Sequence, residues 1–511
     1  MNETIIKRNY IYIYEQNDNQ NKSRYIFIGL PNSYDFNANS LSFSLKLPQS
    51  TNKTGTVNIY SPQIEGLIYP RIIQKDIYAF FSGVKFNSLS EQKIYNIKVF
   101  ENYICINKFL SYKILNILRY MADNSKLFEK FVLNNKVEVP SRLVVPPLTL
   151  FSSNPDGSLS EGEKEYLKVR ATGVGLYILG AEAVNQEGIA FICQPRCYSE
   201  EHIATNAERA KVIKEQGALA INQIHHGGSL AKKEYSGVTP VAPTAEVPNS
   251  ELQKKGLLNE ETKVRELTNE EIKKLIDDFA YATEISIKAG YDGIEIHGAN
   301  NYIIQQFYSP YYNRRTDEWG GSDEKRMSFP LKIVDACCKV RDKFNRPDFI
   351  IGYRLSPEEP FEPGITMTET IKLVKELVLK PIQYIHISQK NFFQKTRRGE
   401  GTGTERLKVI HEITKGKVPL IGVGGLKTQK NFTDAMETGF CEFIAAGVAS
   451  MMNRDLGILL KENKGDKLEL ELDPEHPEKY AMATPLWNLC LSDHGLDFLP
   501  PVKGKTIKKE K

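Results

Sequence analysis

The sequence predicts a (β/α)8 TIM barrel, an α/β fold, joined to a small β-rich N-terminal domain. Two observations carry that prediction. From Arg142 onward, eight short apolar runs alternate with helical patterns, the grammar of βα units around a parallel sheet. Before roughly residue 110, apolar and polar residues alternate singly, the period of half-buried strands. A doubly wound sheet shares the βα alternation, but no G-x-G-x-x-G follows any of the strands.

Residues 1–110 read as the β-rich domain. "SLSFSLKL" places Leu41, Phe43, Leu45 and Leu47 on one face and Ser42, Ser44 and Lys46 on the other. "YIYIY", "RYIFIGL", "TVNIYS", "IYAFFSGVKF" and "KIYNIKVF" read as further strands, parted by turn-rich pieces such as "EQNDNQNKS". No catalytic pattern stands out in this region. Residues 111–140 form a link. "YKILNILRYMADNSKLFEKF" is helix-like, and "KFVLNNKVEV" reads as a hairpin turning on Asn134 and Asn135, residue types that tolerate positive φ.

Residues 141–460 carry the barrel. Its strand cores are "RLVVPPL", "GLYILGA", "LAINQIH", "DGIEIH", "FIIGYRLS", "IQYIHIS", "VPLIGVGG" and "CEFIAAG". The clearest helix is "TNEEIKKLIDDFAYATEISIKAG". Thr268 and Glu271 form a capping box, Ile272, Leu275, Ile276 and Phe279 form one stripe, and Gly290 stops it. Residues 461–511 are a C-terminal extension ending in the basic tail "KGKTIKKEK".

Composition bounds the function classes. The chain has 511 residues, 41% hydrophobic and 25% charged, which suits a globular protein of about two to three domains. A formal charge of +4 is too mild to imply a nucleic acid or a membrane surface as partner. Seven cysteines include no C-x-x-C pair, so neither a structural zinc site nor an iron–sulfur cluster is expected. No signal peptide and no apolar run of spanning length is visible, and a cytoplasmic setting is expected.

Barrel enzymes build their sites at the C-terminal ends of the strands. Here those ends read Pro147, Leu148 and Thr149; Ala181; Gln223, His225 and His226; His297, with Asn300 and Tyr302 beyond it; Arg354; Ser388; Gly424 and Gly425; and Gly447. Glycines after strands seven and eight let backbone N–H groups approach an anion, and these two loops are the usual phosphate site of the fold. The alternative is that "GVGGL" is only a tight turn. No Ser or Cys has a base partner, no carboxylate pair stands at the strand ends, and the histidines lack metal-ligand spacing. Thr149, Gln223 and Arg354 offer donors and acceptors suited to a flat, hydrogen-bonding heterocycle that carries a phosphate, a description met by FMN. His297 and Asn300 can both donate to one oxygen, and Tyr302 can give up a proton. Each of the three is alternatively a packing residue.

The run "AGYDGIEIHGANNYIIQQFYSPYYNRRTDEWGGSDEKRMSFPLKIVDA", with "NQIHHGG", "TPVAPTA", "RELTNEEI", "IIGYRLSP" and "PLIGVGGL", resembles the signature blocks of the old yellow enzyme family. These are FMN-dependent NAD(P)H:flavin oxidoreductases, and the resemblance spans roughly residues 122–460. It implies a hairpin closing the barrel bottom, FMN, and NADH or NADPH as reductant. Thr149, Ala181, Gln223 and Arg354 would lie along the flavin ring, with Pro147 and Leu148 beside them. Gly424, Gly425, Gly447 and Val448 would surround its phosphate. His297 and Asn300 would hold the oxygen of a small-molecule acceptor, and Tyr302 would protonate the carbon next to its carbonyl, in a ping-pong scheme that reduces an activated C=C bond. Three positions depart from the family: Asn301 replaces a usual glycine, Ser229 an arginine, and Val448 the phosphate arginine. Arg397 and Arg398 in "KTRRGEG" read either as a solvated loop or as contacts for a substrate. The alternative function is a flavin-binding protein without turnover, acting through a partner of the N-terminal domain. A non-redox phosphate-sugar barrel predicts no flavin at all. A homo-oligomer is compatible with the sequence.

Overall fold

The structure, a computed structural model, describes residues 126–245, 264–492 and 499–505, together with four short strands near the N-terminus. The chain divides into two compact units, Met1–Leu115 and Asn116–Lys511. In the first, Tyr12–Asn17 pairs antiparallel with Arg24–Gly29, and Phe43–Lys46 with Thr54–Val57. The other strands expected before residue 110, residues 112–125 of the helix expected over 112–131, and the end of the basic tail lie outside the described residues; the rest of that helix is instead a 3-10 turn at Lys126–Phe128 and the start of a strand at Phe131.

In the second unit, eight parallel strands close into a barrel in chain order. They are β1 (Leu143–Val145), β2 (Leu176–Ala183), β3 (Leu219–His225), β4 (Gly293–Gly298), β5 (Ile350–Leu355), β6 (Tyr384–Ile387), β7 (Leu420–Val423) and β8 (Phe443–Ala445). Each falls on one of the apolar runs, as the (β/α)8 reading requires. The helices of six residues or more among the described residues are α1 (Glu161–Arg170), α2 (His202–Lys214), α3 (Asn269–Lys288), α4 (Ile303–Tyr308), α5 (Asp323–Lys343), α6 (Met367–Leu377), α7 (Arg406–Thr414), α8 (Gln429–Glu437), α9 (Gly447–Met452), α10 (Leu456–Lys461) and α11 (Thr484–Leu491).

Helix α3 begins where the capping box places it. The Thr268 hydroxyl accepts the Glu271 N–H at 3.2 Å, and the Glu271 carboxylate accepts the Thr268 N–H at 2.8 Å. Ile272, Leu275 and Phe279 are buried against the barrel, and Gly290, at φ +81°, turns the chain out of the helix. Helix α5 starts at Asp323, where Ser322 accepts the Lys325 N–H and two acidic residues fill the first turn.

Inside the barrel, Val144, Ile178, Ile221, Ile350, Tyr384, Ile421 and Phe443 form an apolar plug. Antiparallel segments Phe131–Val132 and Glu138–Val139 close its bottom, and Leu133 and Val139 join the plug. The turn differs from expectation: the positive φ falls on Lys136, at +72°, rather than on Asn134 or Asn135. The two asparagines instead tie the hairpin to the barrel. Asn134 Nδ2 donates to the Ile382 carbonyl at 2.8 Å, and Asn135 Nδ2 donates to the carbonyls of Pro347 and Asp348 at 3.2 Å. With the bottom plugged, the open end is the rim where β-strands meet the βα loops. No described helix is long and apolar enough to cross a membrane.

Candidate active site

Strand periodicity sorts the rim. Side chains two apart share a face, so Glu295 and His297 on β4 both face the barrel axis, as do Gln223 and His225 on β3. Register brings Gln223 beside Glu295, His297 beside Arg354, and Arg354 beside His386. Thr149 and Ala181 sit at the ends of β1 and β2 on the same rim. A polar layer therefore lies on top of the apolar plug.

His297, His225 and Tyr302 pack together. Ring centroids are 5.0 Å apart for His297 and Tyr302, 4.3 Å for His225 and Tyr302, and 5.4 Å for the two histidines. The Ala299 N–H donates to His297 Nδ1 at 3.2 Å, and burial, with His225 and Arg354 near, holds this imidazole well below its ordinary pKa. His297 is therefore neutral with its proton on Nε2, which makes that nitrogen a donor. Burial likewise holds His225 and His226 down to about 3. Burial pushes the Tyr302 phenol above its ordinary pKa, so it stays protonated in neutral solution.

Asn300 stands on the same loop but is exposed, at φ +57°. Its Oδ1 accepts from the Ser388 hydroxyl at 2.8 Å, which leaves Nδ2 as the outward donor end. Asn301 is also left-handed, at φ +62°, the conformation for which Asn is the best substitute for Gly. Its N–H and Oδ1 bond to the Gln305 amide, and its carbonyl accepts from Gln306, so the departure from glycine is absorbed locally.

Glu295, His386 and Gln194 form supporting contacts that the sequence reading did not single out. Glu295 accepts from Gln223 Nε2 at 2.7 Å and from His386 Nδ1 at 2.9 Å. Burial opposes its charge, but His386, Arg354 and Gln223 outweigh burial and hold the carboxyl below the usual carboxylate range. Arg354 Nε and His386 Nε2 are buried without a partner among the described residues. Gln194 donates to the Ala181 carbonyl at 2.8 Å, contacts His225 Nδ1 at 3.1 Å, and accepts the N–H groups of Ala190 and Phe191. The sequence signal for Glu295 and His386 was present: each is a polar letter within a buried strand, in phase with the rim residues.

The glycines after β7 and β8 play different parts. A Cβ on Gly424 would lie 2.7 Å from backbone atoms of Asn391 and Phe392, so that glycine admits the passing loop. Gly425, at φ +68°, faces nothing closer than the Lys390 carbonyl at 3.4 Å. A Cβ on Gly447 would make only ordinary contacts with Pro146 and Leu148. Packing alone gives no reason for glycine at Gly447. Val448 packs against an apolar cluster around Met451, Leu486 and Cys490, which accounts for an aliphatic residue there. Ser229 is fully buried and its hydroxyl accepts from Gln306 at 2.9 Å, leaving no space for the arginine expected by resemblance. Arg398 is paired with Glu362 and donates to the Glu359 carbonyl, while the Glu358 carboxylate accepts the N–H groups of Arg397 and Arg398. That loop is folded onto its own chain.

A plugged parallel barrel with a polar, donor-rich rim is the frame of a flavin-dependent oxidoreductase. The chain belongs to the NADH:flavin oxidoreductase / NADH oxidase family, which matches residues 126–467. It is 38% identical over 369 residues to a probable NADH-dependent flavin oxidoreductase, YqiG, of Bacillus subtilis, covering 72% of this chain and 96% of that protein. It is 34% identical over 375 residues to an NADH:fumarate oxidoreductase of Klebsiella pneumoniae, covering 73% of this chain but 39% of that protein. In fold it is similar to an old yellow enzyme homologue from Zymomonas mobilis, with TM-score 0.58 and 24% identity over 70% of this chain and 98% of the other. The chain is thus an NAD(P)H-dependent flavin oxidoreductase with FMN as its cofactor, and its barrel shares the fold of an old yellow enzyme homologue. The residues present fit that group. Arg354 keeps an unpartnered buried nitrogen, and Gly447 keeps space that a side chain would fill.

Proposed function

We propose that the barrel reduces the activated C=C bond of a small-molecule acceptor such as an enone, with NADH or NADPH and the acceptor using the same rim in turn. Bound FMN supplies the hydride relay between them. Thr149, Ala181, Gln223 and Arg354 would hold its ring, and Pro147 and Leu148 would support the β1 side. Backbone N–H groups at Gly425, Gly447 and Val448 would hold its phosphate, with Gly424 admitting the adjoining loop. His297 Nε2–H, with Asn300 Nδ2, holds the acceptor's carbonyl oxygen and stabilises charge that develops there. Tyr302 gives its proton to the carbon beside the carbonyl.

The observation that carries this reading is the pairing of a neutral His297 donor with a protonated Tyr302, rings 5.0 Å apart. A hydride-accepting alkene conjugated to a carbonyl needs one group for the oxygen and one proton for the carbon. Relatives named for fumarate and for acrylate fall in the same chemical class, but the chain spans only 39% and 36% of their lengths, so their acceptors are not carried over. A cytoplasmic setting accords with this use of nicotinamide. The experiment is to load purified protein with FMN, reduce it anaerobically with NADH or NADPH, and add cyclohex-2-enone. Bleaching followed by return of the flavin band supports the reading. Bound flavin that neither nicotinamide reduces would favour a binding role without turnover.

A further inference from the structure

We propose that Glu295 sets the charge of the flavin site, and with it the reduction potential of bound FMN, as a positioning residue acting on Gln223, His386 and Arg354. The inference rests on the reading above that the flavin ring lies over Gln223 and Arg354.

Glu295 is fully buried in the middle of β4. A carboxylate so placed is retained only with partners. Its two hydrogen-bond donors are Gln223 at 2.7 Å and His386 at 2.9 Å. Burial holds His386 below its ordinary pKa, so the imidazole is neutral, and beside the carboxylate its proton sits on Nδ1, which leaves the lone pair on the unpartnered Nε2. The full cation facing this carboxylate is Arg354, whose Nε has no partner among the described residues. The layer under the ring therefore holds one positive and one negative side chain.

That balance has a consequence for redox chemistry. Hydride transfer moves two electrons and one proton from NADH, which leaves as NAD⁺, so the flavin gains one negative charge. Arg354 favours that charge and Glu295 opposes it. Glu295 also fixes Gln223, one of the residues read as lining the flavin ring, so one carboxylate sets both ring position and local potential.

The test is dye-equilibrated spectrophotometric titration of FMN-loaded protein, comparing wild type with Glu295→Gln, which keeps size and an acceptor. The expected result is a more positive midpoint potential, by at least about 30 mV, a tenfold shift of the two-electron equilibrium. His386→Leu removes one donor from the carboxylate, favours its protonation, and should move the potential the same way. An unchanged potential in Glu295→Gln, even with weaker FMN binding or a lower Tm, would make the residue structural only and overturn the inference. A shift to more negative potential would also overturn it. Arg354→Gln separates the two layers of the argument. If it lowers the potential while Glu295→Gln does nothing, the inference alone fails. If it moves neither potential nor FMN affinity, the ring does not lie there and the placement fails as well.

Discussion

The Ala299 N–H donates to His297 Nδ1 at 3.2 Å, and this one bond decides which nitrogen of the ring carries the proton. His297→Ala should lower kcat/KM for an enone by roughly 10²–10³-fold, the usual cost of removing an oxyanion donor, while FMN content stays unchanged. Because burial holds both His297 and His225 below the ordinary histidine range, neither titrates near neutrality. The rate of enone reoxidation should then be flat from about pH 6 to pH 8. An inflection near the ordinary histidine value, absent in His297→Ala, would show that the ring is charged at work.

The two rim glycines Gly424 and Gly447 should respond in opposite ways to alanine. Gly424→Ala places a Cβ 2.7 Å from the Asn391 and Phe392 backbone and should lower Tm with or without ligand. Gly447→Ala makes ordinary contacts and should leave the stability of the FMN-free protein within about 0.5 kcal/mol of wild type. Its FMN dissociation constant should rise on the order of tenfold, about 1.4 kcal/mol. Isothermal titration with FMN, alongside thermal melts, checks both. Unchanged FMN affinity in Gly447→Ala would remove this glycine from the phosphate site.

Glu182 lies behind Ala181 on β2 and accepts from Asn206, Asn222 and Tyr291. Burial raises its pKa from 4.5 to about 7, with Arg209 opposing. The folded pKa lies above the unfolded one, so its contribution to stability is complete below the unfolded value and is lost as pH rises through 7. At pH 8 the buried charge costs roughly 3 kcal/mol. Glu182→Gln should therefore raise Tm at pH 8 and have little effect at pH 4.5. Melts across that range check the sign, and an equal effect at both ends would show that the carboxylate is charged throughout.

The barrel was legible because eight apolar runs with helical spacers have few other ways to bury themselves, and each run became a strand. The rim residues were legible for a related reason: polar letters at the end of a buried strand need a use. What escaped was set by side-chain pairing across strands. Glu295 and His386 sit on strands 91 positions apart, and Gln194 reaches His225 from a loop with no periodic pattern. Asn134 and Asn135 misled for the converse reason. Their residue type suits a left-handed turn, but carbonyls at the barrel bottom take their amides and Lys136 bears the turn.

Tyr302→Phe is the most direct test of the mechanism. FMN-loaded wild type and variant are reduced anaerobically with NADH in a stopped-flow instrument, then mixed with cyclohex-2-enone. Flavin reduction should proceed at comparable rates in both, while reoxidation by the enone should slow about 10²–10⁴-fold in the variant. Equal loss in both half-reactions, or unimpaired reoxidation in Tyr302→Phe, would contradict the assignment of Tyr302 as the proton donor.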